Sequence, residues 1–111
     1  MSPFRVNLGG EGEQPGVLNQ QGRWVVLVPT WLSSRTAQPF AALVAAGLDF
    51  LICDNTVLPF PDDTVDQVIT NGVPIDRVSI YGPGVQSSEI RRILKSGGVW
   101  IHDGALVWTK P

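Results

Sequence analysis

Histidine, cysteine, methionine and tyrosine each occur once in this chain of 111 residues. A single cysteine excludes an internal disulfide. One cysteine and one histidine cannot build a zinc site of the usual Cys/His kind, so no metal is expected. Charge is also scarce. Only 16% of residues are charged, against about 25% in an average domain. The net charge of −2 supplies no basic patch of the kind nucleic-acid binding wants. No apolar run approaches the roughly 18–20 residues of a membrane span. The start, Met1-Ser2-Pro3, lacks the basic and apolar regions of a signal peptide.

Glycine (12) and proline (9) are plentiful, and 43% of residues are hydrophobic. That composition describes one folded domain over residues 1–111, built from short elements joined by tight turns. A complete seven-stranded α/β plan, with a helix after nearly every strand, needs more chain than this.

Phe4–Leu8 alternates as a strand and runs into the glycine-rich loop Gly9–Gly16. Val17–Asn19 reads as a short strand ended by Gln20-Gln21-Gly22, and Trp24–Val28 as another. Thr36 can cap a helix over about Ala37–Ala46, whose apolar face is Phe40, Leu43, Val44 and Gly47. Leu48–Cys53 is a mostly apolar strand of the buried parallel type. Val65–Thr70 alternates as a strand ended by Asn71-Gly72. Val73–Gly84 reads as a loop with a candidate strand at Val78–Tyr81. Ser87 can cap a helix over about Ser88–Lys95, burying Ile90, Ile93 and Leu94, with Gly97-Gly98 as its stop. Val99–His102 and Leu106–Trp108 are the last strands. Arg91, Arg92 and Lys95 read as a solvated helix face.

Strands alternating with helices predict βαβ units and a mostly parallel sheet. Ligands in such sheets bind outside the carboxyl ends of the strands. The candidate loops are therefore Gly9–Gly16, Asp54–Thr56 and Asn71–Pro74. In the first, Pro15-Gly16 opposes an immediate helix, and Glu11 and Glu13 repel phosphate while tolerating a sulfonium or ammonium. Asp54 reads either as an acceptor for an amino group or as a cap on its own turn. Asn19 reads as a partner for a ribose hydroxyl or as an ordinary residue before a turn. His102-Asp103 could be a base with its orienting partner, or structural. Cys53 reads as inert core.

Leu58–Asn71 resembles the "LPF-x-D-x-S-F-D-x-V" segment of class I S-adenosylmethionine-dependent methyltransferases. Arg92–Ile101 resembles their "R-x-L-K-P-G-G" segment, with Ser96 in place of proline. Val6–Glu13 resembles their first glycine motif, with Asn7 where the family has an acidic residue. A narrower resemblance, carried by Asn7–Glu13, Asn71–Asp76 and Gly82–Ile90, is to methyltransferase-like domains at the C-terminal ends of bacterial Rhs/YD-repeat proteins.

The resemblance implies a minimal Rossmann-like α/β fold, with a mostly parallel sheet of about five strands and few helices. It implies S-adenosylmethionine or S-adenosylhomocysteine as cofactor. Gly9, Gly10 and Gly12 would line the methionine half, with Glu11 beside them. Asn19 stands for the ribose-binding residue. Asp54 would meet the adenine amine, with Asn55 or Thr56 alongside, and Thr70 and Asn71 would close the site near the sulfonium. Asp66 matches a largely architectural position. The implied activity is methyl transfer to an unidentified acceptor. The alternatives are a non-catalytic interaction domain, such as a decayed or partial methyltransferase fold, and a nucleotide-binding module, which the acidic loop disfavours. An abbreviated sheet should leave exposed edges, which predicts a homo-oligomer, most simply a dimer. The expected location is the cytoplasm, or a target cell reached as part of a larger protein.

Overall fold

A computed structural model describes residues 3–9, 16–23, 40–80 and 82–111. The expected strand Trp24–Val28, most of the glycine loop and the start of the first expected helix lie outside them. In chain order the described elements are β1 (Arg5–Leu8), β2 (Leu18–Gln21), α1 (Phe40–Ala45), β3 (Phe50–Ile52), β4 (Val65–Thr70), β5 (Val78–Ser79), β6 (Gly82–Pro83), α2 (Ser87–Ile93), β7 (Leu94–His102) and β8 (Ala105–Thr109).

Six strands form one sheet in the order β3-β2-β1-β4-β7-β8. The first five are mutually parallel; β8 runs antiparallel to β7 at the edge. A separate antiparallel pair joins β5 to β6. The expected minimal Rossmann-like domain, with a mostly parallel sheet of about five strands and few helices, is therefore corrected. The described chain is mostly sheet, with eight strands in one mixed sheet and one antiparallel pair. Two turns explain the difference. Asp103 (φ 50°) and Gly104 (φ 83°) both take left-handed backbone, the requirement of a two-residue hairpin, and send β8 back along β7. The second turn lies in the segment read as loop, where β5 doubles back onto β6.

Residues paired across a parallel ladder point to the same face of the sheet. Val6, Val68, Trp100 and Trp108 are aligned across four strands in this way. Against this row pack Ile90, Ile93 and Leu94 with Val73, Val85, Leu58 and Phe60. Ile90, Ile93 and Leu94 are fully buried, as their spacing predicts. The end of α2 differs from expectation. Leu94 is already extended (φ −68°, ψ 139°) and pairs with Val65, so the strand begins before Gly97-Gly98. The ladder shifts register between Val65 and Gln67, the mark of a bulge. In α1 the apolar stripe is narrower than predicted: Leu43 is buried but Val44 is 46% exposed.

The start of α2 is held from a distance. Asp76 accepts the Ser87 backbone N–H at 2.8 Å and is also bonded to the Ser87 hydroxyl. These bonds hold the Asp76 carboxyl below the usual carboxylate range. Asp66 receives the Phe4 N–H at 2.7 Å and lies 3.5 Å from Lys95. Its contacts join the chain's start to β4 and β7.

Candidate functional site

The strand order places a reversal between β1 and β4, because the chain leaves β1 toward β2 and β3, then crosses to the other side. A crevice at such a switch point is the usual ligand position in an open parallel sheet. Gly9 lies at its base with φ +61°, and a Cβ there would come within 2.5 Å of Val73 Cγ2. Only glycine lets the loop after β1 pass this close to the chain beyond β4. Gly10, Glu11 and Gly12 lie outside the described residues.

The β2 edge is organised by a residue that sequence reasoning treated as a strand end. Gln20 is fully buried. Its Oε1 accepts the Gly9 N–H at 3.0 Å. Its Nε2 donates to Cys53 O at 3.1 Å and to Asn55 Oδ1 at 2.9 Å. Asn55 is buried and donates in turn to Pro83 O at 2.9 Å. One side chain thus joins the loops after β1 and β3, and Asn55 extends the chain to β6. The polar run Asn19-Gln20-Gln21, buried inside a sheet, is the signal that could have revealed this network: buried amides require partners.

Asn19 is also fully buried. Its Nδ2 donates to Val17 O and Asp49 O, and its Oδ1 accepts from Asn7 Nδ2 at 3.2 Å. The structure places it inside the sheet rather than beyond the strand end, with its amide employed. Asp54 is exposed, and its Oδ1 accepts both the Thr56 N–H at 2.8 Å and the Thr56 hydroxyl at 2.7 Å. These two bonds, the backbone one foremost, hold the carboxyl below its usual range. Asp54 therefore caps its own turn while keeping an exposed carboxylate beside Asn55. Cys53 is half-buried, and desolvation raises its thiol above its ordinary value, consistent with inert core.

At the β4 edge, Thr70 is fully buried and Asn71 half-buried. Thr70 Oγ1 lies 2.7 Å from His102 Nδ1 and accepts the Trp100 indole N–H at 2.9 Å. His102 Nε2 is 3.2 Å from Asp103 Oδ2, and Asp103 Oδ1 accepts the Gly72 N–H at 2.8 Å. The loop Asn71-Gly72 is thereby tied to the β7–β8 hairpin.

The two long segments of family resemblance meet on the flank of the sheet. Arg92 donates to Leu58 O at 3.0 Å, Phe60 O at 2.8 Å and Asp62 at 2.9 Å. It also pairs with Glu89 at 2.6 Å, while Glu89 Oε1 accepts the Leu58 N–H at 2.8 Å. These bonds raise the Arg92 pKa and lower that of Glu89. Arg92 is not the solvated side chain expected of its helix position; it binds the Leu58–Asp62 loop.

Among the described residues no group of three or more His, Cys, Asp or Glu is placed to hold a metal, and no helix is long and apolar enough to cross a membrane. Comparison with protein-family models, curated proteins and solved structures returns no match.

Proposed function

We propose that this chain binds S-adenosylmethionine, or its demethylated product, in the crevice between the carboxyl ends of β1 and β4. The observation that carries the reading is the meeting of three features at one sheet. The switch point lies at Gly9, the loop that follows it in sequence bears Glu11 and Glu13, and the two family-like segments are clasped together by Arg92. An acidic glycine loop suits a sulfonium and opposes a phosphate.

Of the residues assigned by resemblance, Gly9 and Asp54 fit the cofactor as they stand. Gly9 lets backbone approach closely, and Asp54 offers a carboxylate to an amine. Asn19, Asn55 and Thr70 are engaged within the protein, so their contribution is to shape the edge on which the cofactor lies. Asn71, just after β4, would with Thr70 close the site near the sulfonium. The cofactor supplies an activated methyl group. The protein's part is to hold an acceptor nucleophile in line with it, a gain of proximity and orientation. Gly9 and Asp54 would be the residues that hold the cofactor while that methyl group is presented.

Calorimetric titration with S-adenosylhomocysteine tests this directly. Heat of binding that fits one site supports the reading. A folded protein that gives no heat at high ligand concentration overturns it.

The engaged state of Asn19, Asn55 and Thr70 favours one other reading, a non-catalytic interaction domain. Its contact surface would be β8, an edge strand of the sheet among the described residues, on which Leu106 and Val107 are 62% and 50% exposed. An unprotected apolar edge invites pairing with another strand, and a second copy of the chain meets that need by twofold symmetry. Light scattering that reports a 12 kDa monomer at high concentration would remove the dimer.

A further inference from the structure

The four polar groups at the β4–β7 edge form a chain in which every proton has one workable position. Trp100 Nε1 can only donate, and it donates to Thr70 Oγ1 at 2.9 Å. The Thr70 hydroxyl has one proton of its own, and the side chain is fully buried. His102 Nδ1, at 2.7 Å, is its one acceptor among the described residues. Were Nδ1 to carry a proton, the Thr70 hydroxyl would accept twice and its own proton would be left buried without a partner, a costly state. Nδ1 is therefore the acceptor, and the ring proton sits on Nε2. There it faces the Asp103 carboxylate at 3.2 Å. The other oxygen of that carboxylate holds Gly72 N–H at 2.8 Å, and the Asp103 N–H donates to Thr70 O at 2.8 Å.

We infer that His102 is a positioning residue with a fixed Nε2–H tautomer, and that its protonation breaks the chain at the Thr70 hydroxyl. Neutral His102 has no free lone pair, since Nδ1 receives Thr70 and Nε2–H faces Asp103. It therefore does not serve as a general base in this arrangement. A second proton on the ring must go to Nδ1, the one position that Thr70 opposes. The imidazolium keeps its pairing with Asp103 and gives up Thr70, so the ring pivots on the hairpin and the Thr70 hydroxyl loses its acceptor. Among the described residues, the groups facing the ring are Thr70 from the end of β4, Trp100 from β7 with its ring centroid 6.2 Å away, and Asp103 from the turn. Of these only Asp103 carries charge. The inference stands on these bonds alone and does not depend on the cofactor assignment.

The chain has one histidine, so its two ring nitrogens can be read by nitrogen-15 NMR without ambiguity. Above the histidine titration, the expected spectrum shows Nε2 protonated and Nδ1 bare. The Trp100 indole proton, identified by its loss in Trp100→Phe, should shift along the same pH curve as the ring. In Asp103→Asn the side-chain amide can keep the Gly72 bond but presents N–H where Nε2–H needs an acceptor. The Nδ1–H tautomer should then gain population, and the indole resonance should move at neutral pH. A predominant Nδ1–H tautomer in the unsubstituted protein overturns the inference. So does an indole resonance that ignores the histidine titration, and both are read without the variant.

Discussion

The two halves of the sheet are held together by different chemistry. Around β4, β7 and α2 the interior is mostly apolar: Val65, Val68, Ile90, Ile93 and Leu94 are all fully buried, with Thr70 the buried polar exception at the end of β4. Around β1, β2 and β3 the interior carries amides. Asn7, Asn19, Gln20, Gln21 and Asn55 are buried, and Gln20 and Asn19 bond to backbone carbonyls of neighbouring segments. Apolar packing is non-directional and tolerates small shifts. Amide networks are directional and specify one arrangement, but each member left without a partner is costly. The first half is built to be stable; the second is built to fix the relative positions of loops at the carboxyl edge. The sharpest contrast should appear when each half is broken by its own chemistry.

The largest effect belongs to the apolar half. Ile93→Ala removes a fully buried side chain from the core cluster and should cost about 2–5 kcal/mol in denaturant unfolding. A loss below about 1 kcal/mol would mean that α2 does not anchor the sheet. In the polar half, Gln20→Ala deprives Cys53 O and Asn55 Oδ1 of a donor. The expected loss is about 1–3 kcal/mol. Its distinguishing mark is local: amide exchange should rise at Gly9 and around Asn55, and S-adenosylhomocysteine affinity should fall with it. A uniform rise across β4 and β7 would contradict the division into halves.

Sequence pattern disclosed these halves unequally. Val65–Thr70 was legible because apolar and polar residues alternate there and Asn71-Gly72 ends the run; the strand has those bounds. Ile90, Ile93 and Leu94 were legible as a buried set because of their spacing. The point where helix becomes strand was not, since Leu94 is drawn out of the helix by pairing with Val65, far away in sequence and in a different element. Gln20 was read as a strand end because a lone amide looks like a turn residue; its burial depends on three segments that meet only in the fold. Likewise Asp76 caps α2 from eleven residues away, beyond any local capping pattern. Of the site, the loops were legible and most partners of their side chains were not.

Arg92 spans both kinds of chemistry, being a charged group that closes an apolar flank. Arg92→Ala should cost about 1–2 kcal/mol, since the guanidinium is partly exposed and solvent screens its ion pairs. Its partner gives a pH test. The Arg92 hydrogen bond holds the Glu89 carboxyl below its ordinary value in the folded state. The stability this supplies is complete above the ordinary carboxylate range and disappears as pH falls through the lowered folded value. Glu89→Gln should therefore show a shallower loss of stability on acidification than the unsubstituted protein, with the two curves converging at low pH. Parallel curves would mean that Glu89 is not the group linking acid to this flank.

The smallest effect on folding is expected at Asp54, where it serves to separate fold from function. Its carboxylate is exposed, and its bonds go to Thr56 in the same turn, so Asp54→Ala should leave the unfolding midpoint almost unmoved. If the carboxylate also meets the cofactor's adenine amine, the same variant should weaken S-adenosylhomocysteine binding about tenfold, the value of one charge-assisted hydrogen bond. Asp54→Asn keeps the acceptor oxygen for Thr56 and loses the charge, so it should fall between the two. Unchanged affinity in both variants would confine Asp54 to its turn and leave the β2–β3 edge, with the engaged amides of Asn19, Gln20 and Asn55, as support for a cofactor held from the β1–β4 crevice alone.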